Sequence, residues 1–214
     1  MWEANDINTY KSLTSHNMGQ IHNDVFSAEI TKYASDVKNK TFLEVGTWNG
    51  LGSTRAFARG LDQRDDYVFY SLECNKDKCE DAIKLYKSNS KIHILNEVIW
   101  NEEPADFYTI FPQILTNKMY RHWNEVDLMN MKRCNLFLNR PDLPELFDVV
   151  LLDGGEFTTY HEFQILKNRC KILMLDDINV DKCKLIVREI ESDPTWKIIK
   201  KENLRNGFLI AERS

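Results

Sequence analysis

Residues 41–55, Thr-Phe-Leu-Glu-Val-Gly-Thr-Trp-Asn-Gly-Leu-Gly-Ser-Thr-Arg, decide the fold of this chain. The first residues are largely apolar and predict a buried strand, and three glycines follow: Gly46, Gly50 and Gly52. Glycine lets a backbone turn tightly and approach a ligand closely. A helix that starts directly after such a loop presents unpaired N–H groups to an anionic group. The stretch therefore predicts a strand, a ligand-binding loop and a helix in succession.

Strands and helices alternate along the rest of the chain. The predicted strands, which are rich in apolar and β-branched residues, are 41–46, 67–73, 91–98, 146–153, 170–175, 196–201 and 207–211. The predicted helices, which have apolar residues at helical spacing, are 20–37, 50–61, 76–86, 159–168 and 181–191. Such alternation forms right-handed βαβ units. We therefore predict an α/β fold with a doubly wound, seven-stranded, mostly parallel sheet and an antiparallel last strand.

The length of 214 residues favours one domain over 1–214. Residues 1–40 form an N-terminal helical region in this prediction. Residues 101–146 interrupt the alternation of strands and helices and are longer than a connection needs. They form either a partly helical cap over a binding site or a peripheral elaboration.

Charge and cysteine usage exclude several classes of protein. The formal net charge of -5 argues against nucleic acid as the main partner, since phosphate binding needs a basic face. Five cysteines without a C-x-x-C motif indicate reduced thiols. No apolar run approaches the roughly 20 residues that span a bilayer. We expect a soluble, cytoplasmic protein without a membrane partner, and a homodimer stays open.

Two acids near the glycine loop limit the kind of ligand. Glu73 follows the second predicted strand, at the distance past the loop where a carboxylate binds ribose hydroxyls in doubly wound sheets. Glu44 precedes the first glycine by two residues. Its charge would repel a pyrophosphate and suits a ligand with an ammonium or sulfonium group.

These residues resemble the nucleotide loop of the class I S-adenosylmethionine-dependent methyltransferases. The family pattern acid-x-Gly-x-Gly-x-Gly fits Glu44–Gly50, except that Trp48 stands at the middle glycine. An aromatic residue there is similar to the catechol O-methyltransferase branch. The resemblance covers most of the chain outside 101–146 and includes three further places: Met18–Ile21, Ser53 and Leu72–Asn75.

The resemblance implies S-adenosylmethionine as the cofactor and the Rossmann-like methyltransferase fold. A ring face suits a cation such as a sulfonium. The implied contacts are Glu44 and the backbone from Gly46 to Gly50 with the methionine part, Ser53 with its carboxylate, Trp48 with the sulfonium, Glu73 with the ribose, and Glu97 with adenine.

Three more acids lie at the ends of predicted strands. Asp153 ends one strand, and Asp176 and Asp177 follow the next. The three should gather at one rim of the sheet, where they repel one another unless a cation neutralises them. Carboxylate oxygens suit Mg²⁺ or another divalent cation, and metal-dependent sugar and small-molecule O-methyltransferases resemble this arrangement. Capping carboxylates without a metal are the alternative.

A metal at Asp153 would lower the pKa of an acceptor hydroxyl and orient its oxygen. The reaction also needs a base. Glu156 stands where related enzymes look to carry lysine or histidine, and His161 on the next predicted helix competes with it.

The acceptor class rests on resemblance. Leu-Asp-Gly-Gly at 152–155 and Leu-Asp-Asp-Ile-Asn at 175–179 are similar to glycan-directed methyltransferases. Aromatic residues in 101–146 would stack on sugar faces. We expect an O-methyltransferase that acts on a sugar hydroxyl, for instance of a deoxyhexose in a glycan. The alternatives are a catechol-like acceptor, a non-catalytic nucleotide-cofactor-binding module, and a nucleotide-sugar enzyme on a similar sheet.

Overall fold

The computed structural model describes residues 21–214. Half of the predicted N-terminal region, residues 1–20 with Met18, lies outside the described residues. The first described helix, α1 (Val25–Ser35), begins later than the predicted start at residue 20. Asp24 caps it, because its carboxylate accepts a hydrogen bond from the Ser27 backbone at 2.7 Å and the Ser27 hydroxyl accepts one from the Asp24 backbone at 2.9 Å.

Nine strands follow one another in the described part of the chain. They are β1 (Thr41–Val45), β2 (Val68–Leu72), β3 (Ile92–Leu95), β4 (Glu97–Val98), β5 (Asn135–Leu136), β6 (Phe147–Leu152), β7 (Cys170–Asp176), β8 (Trp196–Glu202) and β9 (Phe208–Arg213). Seven of them form one sheet in the order β3-β2-β1-β6-β7-β9-β8. The last strand, β9, runs antiparallel to both of its neighbours, and the other pairs are parallel. The predicted doubly wound, mostly parallel sheet is confirmed.

Helices cover both faces of the sheet. After α1 they are α2 (Ser53–Leu61), α3 (Lys76–Tyr86), α4 (Phe107–Ile110), α5 (Gln113–Thr116), α6 (Lys118–Met131), α7 (Thr159–Leu166) and α8 (Asp181–Ser192). One core layer packs under α1, α2 and α3, and the other packs under the remaining helices. All six residues of β6 are buried, as a strand covered on both faces requires.

The third predicted strand, 91–98, is divided in the structure. β3 ends at Leu95, and β4 leaves the main sheet to pair with β5. Between them, the Asn96 side chain donates hydrogen bonds to the backbone oxygens of Glu73 at 2.7 Å and Cys74 at 3.2 Å. This amide holds the chain against the end of β2 while it turns away from the sheet.

The segment 101–146 contains α4, α5, α6 and β5 and contributes to the core. Phe107, Phe111 and Phe137 are almost completely buried in the same core layer as the sheet. All five cysteines are free thiols, as predicted. None of the helices within residues 21–214 combines the length and the apolar character needed to cross a membrane.

Candidate functional site

Two cavities of about 350 Å³ each open at the carboxyl ends of the parallel strands. Both are lined by Gly46, Trp48 and Asp153, so they are two lobes of one cleft. Cavity A is lined further by residues that include Glu73, Glu97, Asp127 and Glu162. Cavity B is lined further by residues that include Ser53, Asp176, Asp177 and Lys182.

Gly46 sits at the junction of the two cavities. Its φ of 101° lies in the left-handed region, and a Cβ there would lie 2.1 Å from the backbone oxygen of Asp153. Only glycine fits this position, because any side chain would push the loop away from the end of β6. The close approach keeps the glycine loop and Asp153 on one wall of the cleft.

Trp48 separates cavity A from cavity B. Its φ of 51° is unusual for a residue with a side chain, and 51% of its surface is exposed. The Lys78 ammonium lies 4.5 Å from the centroid of its ring, which shows that the ring already attracts a cation. The predicted place beside the cofactor is therefore accessible to a ligand.

Glu73 is oriented by the backbone on both sides of its carboxylate. One oxygen accepts a hydrogen bond from the Trp48 backbone N–H at 2.6 Å, and the other accepts one from Asn75 at 2.8 Å. Burial raises the pKa of this carboxyl. The side chain is fixed at the wall of cavity A, where the sequence predicts a ribose contact.

Glu44 lies beneath the loop instead of facing the cleft. Its side chain is fully buried and accepts hydrogen bonds from the Thr54 hydroxyl at 2.7 Å and the Ser71 hydroxyl at 2.5 Å. Burial raises its pKa to about 7. Glu44 lines neither cavity, so the expectation that it contacts the ligand directly is corrected: this acid lies beneath the loop.

Gly50 also serves packing. Its φ is 78°, and a Cβ would come within 2.8 Å of the Tyr86 ring and 3.1 Å of Ala82, both on α3. The Tyr86 hydroxyl donates a hydrogen bond to the Gly50 backbone oxygen at 2.5 Å. The second glycine of the loop thus fixes the loop to α3.

Ser53 begins α2 at the wall of cavity B. The N-cap residue Gly52 has no side chain to cap the helix, and both Gly52 and Ser53 line cavity B. The N-terminus of α2 therefore lies at the cavity, where the sequence predicts a carboxylate contact.

The acids of cavity A fall into two kinds. Glu97 accepts two hydrogen bonds from the Arg140 guanidinium, both at 2.8 Å. Asp127 of α6 and Glu162 of α7 form no ion pair within residues 21–214, and one oxygen of Glu162 is buried without a partner. Burial raises the pKa of Asp127 to about 6 and that of Glu162 to about 8.

The three strand-end acids converge in cavity B. Asp153, Asp176 and Asp177 each offer one oxygen, and these oxygens lie within 4.8 Å of one another. The ammonium of Lys182 lies among them, 2.8 Å from Asp153 and 2.7 Å from Asp177. The guanidinium of Arg205 lies 2.7 Å from Asp176. One oxygen of each acid is therefore engaged by a cationic side chain.

The sequence reasoning missed both cations. Lys182 lies at the start of α8 and shares the buried face of that helix with Cys183, Ile186 and Ile190. A lysine on an apolar helix face was the available signal. Arg205 lies in the turn between β8 and β9, which carries no comparable pattern.

The two candidate bases lie in different surroundings. Glu156 is partly buried and accepts a hydrogen bond from the Lys182 backbone N–H at 3.2 Å. The His161 ring packs against Trp100 and Phe107, with Nε2 3.3 Å from Asp106. His161 is thus part of the aromatic core under α4 and not of the cleft, so its assignment as a base is corrected.

Comparisons with known proteins identify the fold. No family model matches the sequence, and no curated protein matches it. The O-methyltransferase from Bacillus cereus in complex with S-adenosylhomocysteine (SAH) has a TM-score of 0.60 at 13% identity, over 100% of this chain and 92% of that chain. The SAH-bound Podospora anserina methyltransferase PaMTH1 has a TM-score of 0.60 at 12% identity, over 98% of this chain and 86% of that chain.

A proposed caffeoyl-CoA O-methyltransferase from Staphylococcus aureus has a TM-score of 0.61 at 13% identity, over 99% of this chain and 93% of that chain. At these identities the similarity is one of fold. The chain has the Rossmann-like fold of the class I methyltransferases.

Proposed function

We propose that this protein is an S-adenosylmethionine-dependent O-methyltransferase. The observation that carries the proposal is the fixed carboxylate of Glu73 beside the glycine loop, at the wall of cavity A. Both oxygens of Glu73 are oriented by backbone donors, and their remaining lone pairs are available to ribose hydroxyls. Cavity A continues into cavity B past Gly46, which suits a long ligand that enters both.

The cleft provides a partner for each part of this cofactor. Glu73 would bind the ribose, and Glu97 lies in the same cavity for the adenine. Ser53 and the N-terminus of α2 would bind the carboxylate of the methionine part. Trp48 lies between them, where its ring would face the sulfonium. Bound S-adenosylmethionine would supply the methyl group and leave as S-adenosylhomocysteine.

The polarity of cavity B supports a sugar hydroxyl as the acceptor. Its wall contains three carboxyl groups, the Lys182 ammonium and the side chains of Thr47 and Ser53, whereas Ile21 and Trp48 are its large apolar residues. Sugar hydroxyls both donate and accept hydrogen bonds and match such a wall. A catechol-like ring needs a more apolar slot.

Asp177 is the proposed acceptor of the hydroxyl proton. Its Oδ1 is buried without a partner within residues 21–214, while its other oxygen is held by Lys182. When the acceptor oxygen takes the methyl group that the bound cofactor would supply, its hydroxyl proton would pass to Asp177. Asp153 orients the acceptor from the other side of the ammonium, and Glu156 is the second candidate base.

Calorimetric titration tests the cofactor. We expect SAH to bind the full chain, and NAD and nucleotide sugars to give no heat of binding. Glu73→Gln should weaken SAH binding by about tenfold, because a charge-assisted contact to ribose contributes about 1.5 kcal/mol. Glu145→Gln, at an exposed position, is the matched control and should bind SAH as the wild type does. NAD binding without SAH binding would contradict the proposal.

An acceptor screen tests the substrate class. Sugars and catechols are incubated with the protein and S-adenosylmethionine, and products are detected by the mass gain of one methyl group. We expect methylated sugar. Methylated catechol alone would favour the alternative acceptor, and SAH binding without any transfer would favour a non-catalytic cofactor-binding module.

A further inference from the structure

Lys182 occupies the centre of the acidic cluster in cavity B. It is the second residue of α8, and only 8% of its surface is exposed. Its ammonium donates a hydrogen bond to Asp153 Oδ1 at 2.8 Å and one to Asp177 Oδ2 at 2.7 Å. An ammonium has three N–H donors, so one donor is left for a group in the cavity.

The chain itself supplies cations to the cluster. Asp153, Asp176, Asp177 and Asp24, which shares the Arg205 guanidinium with Asp176, carry at most four negative charges, and Lys182 and Arg205 carry two positive charges. At most two negative charges are left. Three carboxylates without these cations would repel one another, which is the physical reason to expect a metal ion in such a place.

The cluster in this form does not fit a divalent cation. Such an ion binds carboxylate oxygens directly, but the inward oxygens of Asp153 and Asp177 are already bound to the lysine. An ion among them would also lie next to the ammonium, and the two positive charges would repel each other. A metal could bind only if Lys182 moved away.

The turn between β8 and β9 holds the backbone next to Asp177 in place. Asp177 has a φ of 59°, in the left-handed region, and the backbone of Ile178 and Asn179 is bonded to Gly207 and Asn206 in the turn between β8 and β9. The same turn brings Arg205 to Asp176. The strained conformation at Asp177 is thus fixed from two sides, as is common at functional sites.

We propose that Lys182 is a built-in cation that takes the place of the divalent metal in cavity B, and that its remaining N–H binds the acceptor oxygen during methyl transfer. This inference rests on the proposed methyltransferase function. In the transfer, the oxygen gains the methyl group and loses its proton to Asp177, sulfur keeps the electron pair, and the ammonium keeps its own protons. Lys182 stabilises the negative charge that develops on the oxygen.

Metal binding gives a test that needs no acceptor. Mn²⁺ is titrated into the wild type, Lys182→Met and Lys184→Met, and free Mn²⁺ is measured by electron paramagnetic resonance. Lys184 is exposed on the same helix and serves as the control. We expect no Mn²⁺ site in the wild type or in Lys184→Met, and one site in Lys182→Met because its carboxylates have lost their ammonium.

Each other result of the titration counts against the inference. A tight Mn²⁺ site in the wild type that Asp177→Asn abolishes would show that a metal displaces the lysine. A folded Lys182→Met without a Mn²⁺ site would show that these carboxylates are not a cation site. The wild-type titration decides the first question even if Lys182→Met does not fold.

Methyl transfer tests the role of the remaining N–H. With the acceptor from the screen, the wild-type rate should be the same in EDTA and in Mg²⁺. Lys182→Met should transfer methyl about 100-fold more slowly, while its Kd for SAH changes by less than about threefold. An unchanged rate, or a tenfold loss of SAH affinity, would overturn the acceptor-side role. Absence of SAH binding to the wild type would instead contradict the proposed function and leave the Mn²⁺ result standing.

Discussion

Acids line both cavities of the cleft, and each acid of cavity B has a cationic partner, whereas two acids of cavity A, Asp127 and Glu162, have none within residues 21–214. In cavity B, Lys182 and Arg205 lie within 2.8 Å of the three acids. In cavity A, Asp127 and Glu162 have no cationic partner within residues 21–214, and burial raises the pKa of each. The same residue types therefore have cationic partners in one cavity and lack them in the other.

This difference separates two kinds of chemistry. In cavity B the Lys182 ammonium binds Asp153 and Asp177 and the Arg205 guanidinium binds Asp176, so fixed cations orient these carboxyl groups toward a reacting hydroxyl. The pKa of Glu162, about 8, keeps this carboxyl largely protonated near pH 7, which lowers the negative charge at the wall of cavity A. Single substitutions in each cavity test this difference.

The largest expected effect is in cavity B. Asp177→Asn removes one partner of the buried Lys182 while keeping a residue that tolerates the left-handed backbone. We expect the free energy of unfolding to fall by about 3 kcal/mol, because a buried charge loses a partner. Denaturant unfolding measures this, with Asp142→Asn at an exposed position as the control. An unchanged midpoint would mean that the ion pair with Lys182 contributes little.

Removal of the Glu162 carboxyl from cavity A should raise the free energy of unfolding at high pH, whereas Asp177→Asn lowers it. The pKa of Glu162 is about 8 when folded and near 4.5 when unfolded, so the folded state keeps a proton that the unfolded state loses. Wild-type stability therefore falls as the pH rises through this window. Glu162→Gln should reduce that fall by about 3 kcal/mol between pH 5 and pH 8. Parallel pH dependence of variant and wild type in denaturant titrations would contradict the unpaired state of Glu162.

A smaller effect is expected where the cavities meet. Trp48→Ala removes the exposed ring and should weaken SAH binding by about tenfold, the value of a cation–π contact with its buried area. Trp123→Ala removes an exposed aromatic ring from α6 and is the control. Equal SAH affinity of Trp48→Ala and the wild type in calorimetry would place the sulfonium away from this ring.

The smallest effect on stability is expected at the ion pair between Glu97 of cavity A and Arg140. Arg140 is partly exposed, and its ion pair with Glu97 is open to water and salt. Arg140→Gln should lower the free energy of unfolding by about 0.5 kcal/mol, and less at high salt. A loss comparable to that of Asp177→Asn in the same denaturant assay would remove the distinction between an open and a buried pair.

Strand patterns and the glycine loop were sufficient to predict the sheet and the rim at which the acids meet. The reason is that parallel strands place their carboxyl ends together, so residues such as Asp153 and Asp177 converge whatever the rest of the chain does. The division of the third predicted strand at Asn96 depends on side-chain bonds to the end of β2, which a periodic pattern does not contain.

Partners of the charged groups could not be predicted in the same way. Glu44 has the family position, but its Oε2 accepts hydrogen bonds from Thr54 and Ser71, which meet it only when β1, β2 and α2 pack. Arg205 reaches Asp176 from a turn 29 residues away. Such contacts join distant parts of the chain, so the local sequence predicted the acids and omitted the cations that neutralise them.

A crystal structure of the protein grown with SAH and Mn²⁺ tests the central claim most directly. We expect SAH with its ribose at Glu73, no anomalous scattering peak among Asp153, Asp176 and Asp177, and the Lys182 ammonium within hydrogen-bond distance of two of these acids. A manganese peak among the three carboxylates, with Lys182 turned away, would contradict it.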